Sequence, residues 1–503
     1  MMISLIWNKT NFKSELNETV FVDLKIKKLL ESFFDSYTDV DEILEIMTCI
    51  PDSDTIKYRQ EILSDILDDE NLEFTKIYHK LANIVALYTN LKNANELIRR
   101  QVLFLIFLHN FHLFLIDVVN TLKSVNVKSY GLNNIINKIN EFLLNKEYNK
   151  LFLDVSRIYN NIYPKLYFTA TYKDGAPYVQ LEFDRKETLE DKLLSIMEGF
   201  DIQQTKLPKA PSRKEVNLSF LKEIVLNNLD LFKPIKEIYE VYQNNEIFDL
   251  KEVYKELRFL LNIKQLFEHL QTKGIKLCKA DIASDNVTEI KNGYDISLTL
   301  SNKNVVPNDF SLSDSKNIIF LLGVNSGGKT CYLRSSAISY LFFEITGYAF
   351  AESAKIAPVD YFYTHFPNEE NYGVGEGRLR DEINRINEMK ENFGANTICF
   401  CNETFSSTSE EKACNLTYDL LNDLLATNTK ILFVTHQYQI FEKIHLDNVV
   451  YLAPEVDESN NNERTHKIKK VEKGLLSYAD DILVKHHLSK KDLTERIARL
   501  KNE

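Results

Sequence analysis

Apolar positions along the chain follow two periods, and the change from one to the other marks the domain plan. In Asp41–Met47 and Tyr58–Leu67 they recur every three to four residues, the spacing of a helix with one buried face. Asp52-Ser53-Asp54 between them predicts an N-cap for the second helix. The longest apolar run, Val102–Val119, approaches bilayer length, but His109, Asn110, His112 and Asp117 interrupt it. It therefore predicts a helix buried in a bundle rather than a membrane span. At 163–184 the period shortens: LYFTATY and YVQLEFD flank KDGAP, which predicts a β-hairpin. The segment 200–215, FDIQQTKLPKAPSRKE, has no apolar period and reads as a linker or exposed loop. Helices resume from about Asn217 to Gln271, with a break near Pro234. From Ile275 strand-like runs alternate with helical stretches, the pattern of an α/β domain. Those runs are YDISLTL (294–300), NIIFLLG (317–323), TICFC (397–401), KILFVT (430–435) and NVVYL (448–452).

Glycine sharpens this division. Only Gly131, Gly175 and Gly199 precede Gly274, as expected of a mainly helical first half. Later glycines cluster at 323–328 and 373–377, where phosphate contact or tight turns need backbone freedom. At 503 residues the chain fits two to four domains. With 44% hydrophobic and 27% charged residues it reads as soluble and globular. A net charge of −12 argues against a dedicated nucleic-acid binder without excluding a local basic face. None of the six cysteines sits in paired CxxC motifs, so reduced thiols in a cytoplasmic protein are expected. The N-terminus lacks the pattern of a signal peptide.

The chemistry concentrates in three places. Gly323, Val324, Asn325, Ser326, Gly327, Gly328, Lys329, Thr330 and Cys331 follow an apolar strand and open a helix, the context of a phosphate-binding loop. Glycines let successive N–H groups point into one concavity, and the helix N-terminus adds positive potential. Lys329 is expected to reach the β- and γ-phosphates of ATP, and the Thr330 hydroxyl to ligate Mg²⁺. Next, TICFC ends in Asn402-Glu403: Glu403 is the expected base or water-orienting group, and Asn402 sits where a carboxylate usually holds the Mg²⁺ shell. An amide there lacks charge, which predicts slow hydrolysis or weak Mg²⁺ affinity. Finally, Thr435-His436 ends KILFV, and His436 is placed to sense or polarise the γ-phosphate.

GVNSGGKTCYLR, then GYAFAESAKIAPVDYFYTH, CNETFSSTS and VTH together resemble the ATPase domain of MutS-type mismatch-repair proteins. TIKYRQEIL (55–63) and FLLNIKQLFEHLQTKGI (259–275) are more loosely similar to that family's helical core. The resemblance implies an ABC-related ATPase working as a dimer with composite sites. Three departures accompany it. The first residues read as core-like helices, so no mismatch-reading domain is expected ahead of them, and none of the family's C-terminal nuclease module is expected after the last helices. In GVGEGRLRDEI (373–383), Gly377-Arg378 is followed by Leu379 where the family carries Ser or Thr. The hairpin and basic loop at 163–215 match the place of an abbreviated clamp. Lys206, Lys209, Arg213 and Lys214 there either contact DNA phosphates or are ordinary lysines of a solvated linker.

The expected architecture is therefore multidomain. A helical core and lever region spans 1–160, a clamp-like insertion 161–216, returning helices 217–274, and an ABC-type phosphate-loop ATPase domain 275–503. The expected function is that of an ATP-gated homodimer, not membrane-bound, acting on distorted or branched DNA. The alternative is an ATP-gated scaffold on protein or ribosome surfaces with little hydrolysis, or a nearly non-hydrolysing structural dimer.

Overall fold

The computed structural model describes residues 4–8, 12–162, 167–173, 176–182, 229–243, 248–301, 305–323, 328–367, 375–436, 448–457 and 463–472. The chain mixes helix and sheet and divides into two compact units: Met1–Leu5 with Asp68–Arg258, and Ile6–Leu67 with Phe259–Glu503.

The first unit is mainly helical. Its longest helix, Leu97–Val125, contains the apolar run and buries Phe104, Phe107 and Phe111 at helical spacing. All three rings meet Phe248 edge-on, an arrangement that satisfies the aromatic quadrupoles. By length and composition this helix could also cross a bilayer, and 56% of its most apolar window is buried within the protein. His112 on the same helix shares a hydrogen bond with the Tyr148 hydroxyl, 3.1 Å from Nδ1, and its ring stacks on Phe152. Burial pushes the His112 pKa down to about 4, with His109 adding a smaller push, and burial also lowers His109. Strands Tyr167–Lys173 and Ala176–Glu182 form the expected hairpin, antiparallel from Tyr167↔Glu182 to Lys173↔Ala176. Pro234 does not break its helix. Leu229–Tyr242 runs through it, and buried Ile235 and Tyr239 supply packing that offsets the lost N–H bond.

The second unit holds two larger sheets. Asp52 Oδ1 accepts a bond from Thr55 N at 2.8 Å and caps the helix Ser53–Leu67, as its sequence predicts. Strands Asp281–Ile282, Ser353–Ile356, Thr288–Gly293 and Asn308–Leu312 make a four-stranded sheet in that order. The larger sheet has six strands: β1 (Ile318–Leu321), β2 (Tyr361–His365), β3 (Thr397–Asn402), β4 (Lys430–Val434), β5 (Val449–Asp457) and β6 (Glu463–Lys470). Their order is β2-β3-β4-β1-β5-β6, parallel except for β6.

The central strands are apolar at nearly every position because both faces are covered. Ile318, Phe320, Cys399, Cys401, Ile431 and Phe433 pack with Ala413, Leu420 and Leu424 of α3 (Glu410–Thr427) and with Ile386 and Met389 of α2 (Gly375–Lys390). The other face receives α1 (Lys329–Thr346), where Tyr340 packs edge-on to Phe400. From Tyr332 onward α1 is buried on every side, since it also meets Thr288–Gly293 and the helix Ser53–Leu67.

One predicted strand is absent. Within YDISLTL, Ile296–Ser301 is a 3₁₀ helix. Asp295 Oδ1 accepts from both Ser297 N (3.0 Å) and Ser297 Oγ (2.7 Å), a local side-chain turn that displaces the extended conformation.

Candidate functional site

Strand register brings the three motifs to one edge of the larger sheet. Leu321 pairs with Val434, and Val434 with Asn402, so β1, β4 and β3 end in a single row. The backbone continues that row: Thr435 N donates to Leu321 O (3.3 Å), and Glu403 N to Val434 O (2.8 Å). Gly323, Glu403 and Thr435-His436 therefore leave the carboxyl ends of adjacent strands, where open α/β sheets form ligand crevices.

Gly323 has φ +119° and Gly328 φ +90°, conformations that side chains disfavour. Gly328 sits at the N-cap of α1, whose first N–H groups point back toward the loop. Lys329 is only 4% exposed and donates from Nζ to Gly323 O at 2.7 Å, spanning the mouth of the loop. Thr330 Oγ1 lies 3.5 Å from Asn402 Oδ1, so the hydroxyl and the amide oxygen face one point. Cys331 is half-buried in the first turn of α1. Val324, Asn325, Ser326 and Gly327 lie outside the described residues, as do Lys206, Lys209, Arg213 and Lys214.

Glu403 occupies the left-handed region (φ +49°), a strained position for a side chain of this size. Its Oε1 is 2.9 Å from His436 Nε2. That hydrogen bond holds the Glu403 carboxyl below its ordinary range; burial opposes it, and the charges of His436 and Lys329 assist. Glu403 is thus ionised and partly shielded, with one oxygen anchored by an imidazole.

Other residues at this edge carry no sequence motif. The hairpin of β5 and β6 lies against Gly323 and Gly328: a Cβ on Gly323 would come within 2.8 Å of Pro454 Cδ, and one on Gly328 within 3.5 Å of His466 Nδ1. His365, at the end of β2, is 1% exposed and pairs through Nδ1 with Thr404 Oγ1 at 3.2 Å. Burial drives its pKa down to about 3, with Arg385 adding to the effect.

The model of MutS domain V matches residues 319–488, the stretch holding Lys329, Asn402, Glu403, His436 and His466. Residues 319–488 belong to the MutS family, as its domain V. The chain is 25% identical over 207 residues to the DNA mismatch repair protein MutS of Fusobacterium nucleatum, covering 40% of the chain and 23% of the relative. It is 21% identical over 467 residues to MutS protein homolog 4 of Mus musculus, covering 86% of the chain and 46% of the relative. Over 298 residues it is 24% identical to the MutS of Clostridioides difficile, covering 53% and 31%. It spans less than half the length of each of these MutS relatives.

Proposed function

We propose that the chain is a MutS-like ATPase with an ABC-type phosphate-loop domain, binding ATP with Mg²⁺ and acting as an ATP-gated dimer on distorted or branched DNA. The observation that carries this reading is the convergence of Gly323, Lys329, Thr330, Asn402, Glu403 and His436 at one strand edge. The residues fit the nucleotide. Lys329 is a buried cation that donates to a loop carbonyl, a bond that phosphate oxygens can replace. Thr330 and Asn402 offer oxygen donors that suit a hard cation. Among the described residues no group of three His, Cys, Asp or Glu side chains could hold a metal. Mg²⁺ would accordingly rely on these two oxygens, on phosphate and on water.

When bound, Mg²⁺ neutralises charge on the phosphates. Lys329 and the N–H groups opening α1 orient them. Glu403, ionised, accepts a proton from the attacking water or turns that water toward the γ-phosphate. His436 keeps the carboxylate in place through its 2.9 Å contact. Asn402 brings an oxygen without charge, so turnover is slow.

Lys329→Ala should abolish ATP binding. Glu403→Gln should retain binding and lower turnover by roughly 10²–10⁴-fold. Wild-type turnover in Glu403→Gln would refute the role assigned to that carboxylate. For the DNA reading, binding to duplex, junction and single-stranded DNA is measured across salt, with and without ATP. Binding that weakens as salt rises and changes with ATP is expected. No binding to any of them at low salt would refute it and leave the ATP-gated protein or ribosome scaffold.

A further inference from the structure

A buried polar cluster lies beside the strand edge and outside the groups assigned to the reaction. Its centre is Asp23, the last residue of the short helix Thr19–Asp23, 6% exposed at its side chain. Asp23 Oδ2 accepts from Arg385 Nη2 at 2.7 Å and from Thr364 Oγ1 at 2.8 Å. Arg385, on α2, also donates to Thr364 O (3.2 Å) and Phe366 O (3.3 Å). One guanidinium thus ties α2 to the end of β2 and to a carboxylate from the beginning of the chain. Farther along the same segment, Lys13 and Ser14 bond to Asp360, immediately before β2. Residues 13–23 therefore line the outer edge of β2, which has β3 as its sheet neighbour on one side only.

A second contact holds α2 one turn earlier on the same face. Glu382 Oε2 accepts from Ser407 Oγ at 2.7 Å, and Ser407 lies four residues beyond Glu403. Thr404, next to Glu403, pairs with His365 of β2. Helix α2 is accordingly fixed between the end of β2 and the loop carrying Glu403. The first turn of α2 holds Gly377-Arg378-Leu379, the signature segment by resemblance. A carboxylate facing a guanidinium is directional, and removing one partner leaves the other uncompensated.

We propose that Asp23 is a positioning residue: by locking Arg385 it sets the orientation of α2, and so of the signature turn and the Glu403 loop, without touching nucleotide. The turnover arm of this inference rests on the ATPase reading above; the structural arm does not. Asp23 and Arg385 stand 362 positions apart, so the latch gives the N-terminal segment a part in the chemistry of the C-terminal one.

The test uses the full chain with Asp23→Asn, read by amide hydrogen exchange and by steady-state kinetics. Exchange in 375–390 should rise at least about tenfold while α1 keeps its protection. The kcat for ATP should fall roughly 100-fold, as for a displaced catalytic loop, with the ATP dissociation constant within about threefold of wild type. Unchanged exchange in 375–390 overturns the latch, as does unchanged kcat with a loosened α2. If Asp23→Asn loses protection throughout, Asp23→Asn/Arg385→Gln decides, because it leaves no unpaired buried charge. Protection restored everywhere but in 375–390, with kcat still low, supports positioning; protection restored in 375–390 as well, or recovery of kcat, overturns it. A wild-type chain that does not hydrolyse ATP refutes the ATPase reading instead, and exchange in 375–390 then decides the latch alone.

Discussion

Replacing Gly323 by alanine tests the geometry of the loop with two separable strains. The first is the backbone: φ +119° is a region that L side chains rarely adopt, and holding one there costs about 1–3 kcal/mol. The second is a contact, because the new Cβ would stand 2.8 Å from Pro454 Cδ. Carbon atoms prefer about 3.5–4.0 Å, so one side must yield by roughly an ångström, and overpacking of this kind costs about 1–3 kcal/mol. Together Gly323→Ala should destabilise by about 2–6 kcal/mol. Pro454→Ala removes Cδ and with it the second strain only. A double-mutant cycle should therefore give a favourable coupling of about 1–3 kcal/mol and leave the backbone share intact. The assay is urea unfolding without nucleotide, followed through Trp7. Trp7 is the single tryptophan, lies under Arg59, and belongs to the same compact unit as the loop. A coupling below about 0.5 kcal/mol would mean that the β5–β6 hairpin does not press on Gly323 and would refute the predicted clash.

Three further outcomes are expected. His436→Phe removes the hydrogen bond that holds the Glu403 carboxyl low and leaves burial to push it up, so the acid limb of turnover should move to higher pH; a limb at the same pH refutes the pairing. The unfolded chain protonates His112 near 6.5 and the folded unit only near 4, so the unfolded state binds more protons in between. Stability present above 6.5 should fall as pH drops through that window, by at most about 3 kcal/mol. Amide exchange of Leu97–Val125 measured against pH should show the loss, and His112→Phe should flatten it; an unaltered slope in the variant refutes the assignment. Asn402→Asp should lower the Mg²⁺ concentration giving half-maximal turnover, measured by titration, and an unchanged or higher requirement argues against Asn402 at the cation.

What the sequence discloses is what neighbours in the chain decide. β1, β3 and β4 are legible as apolar runs because both faces are covered, and Asp52 is legible as a cap because its partner is Thr55. That Gly323 and Asn402-Glu403 lie at strand ends is legible because each follows an apolar run. β6 is not: its residues, ERTHKIKK, have no apolar run, and they form a strand by pairing with β5. In YDISLTL the alternation is real, yet Asp295 bonds to Ser297 and overrides it. Pro234 carries a correct local warning that packing of Ile235 and Tyr239 outweighs. Asp23–Arg385 and Gly323–Pro454 depend on residues brought together by the fold, and no local spacing announces them.

The joining of Ile6–Leu67 with Phe259–Glu503 in one compact unit also constrains how the protein is made. A ribosome adding roughly 5–20 residues per second needs about 10–40 s to pass from Leu67 to Phe259. During that interval Ile56, Ile62 and Leu63, each fully buried at the end, have none of their partners from α1. The nascent segment must wait with apolar side chains uncovered, while Asp68–Arg258 can begin folding behind it. The Glu403 edge, in turn, is complete only once β4 has been made and has paired with β1 and β3.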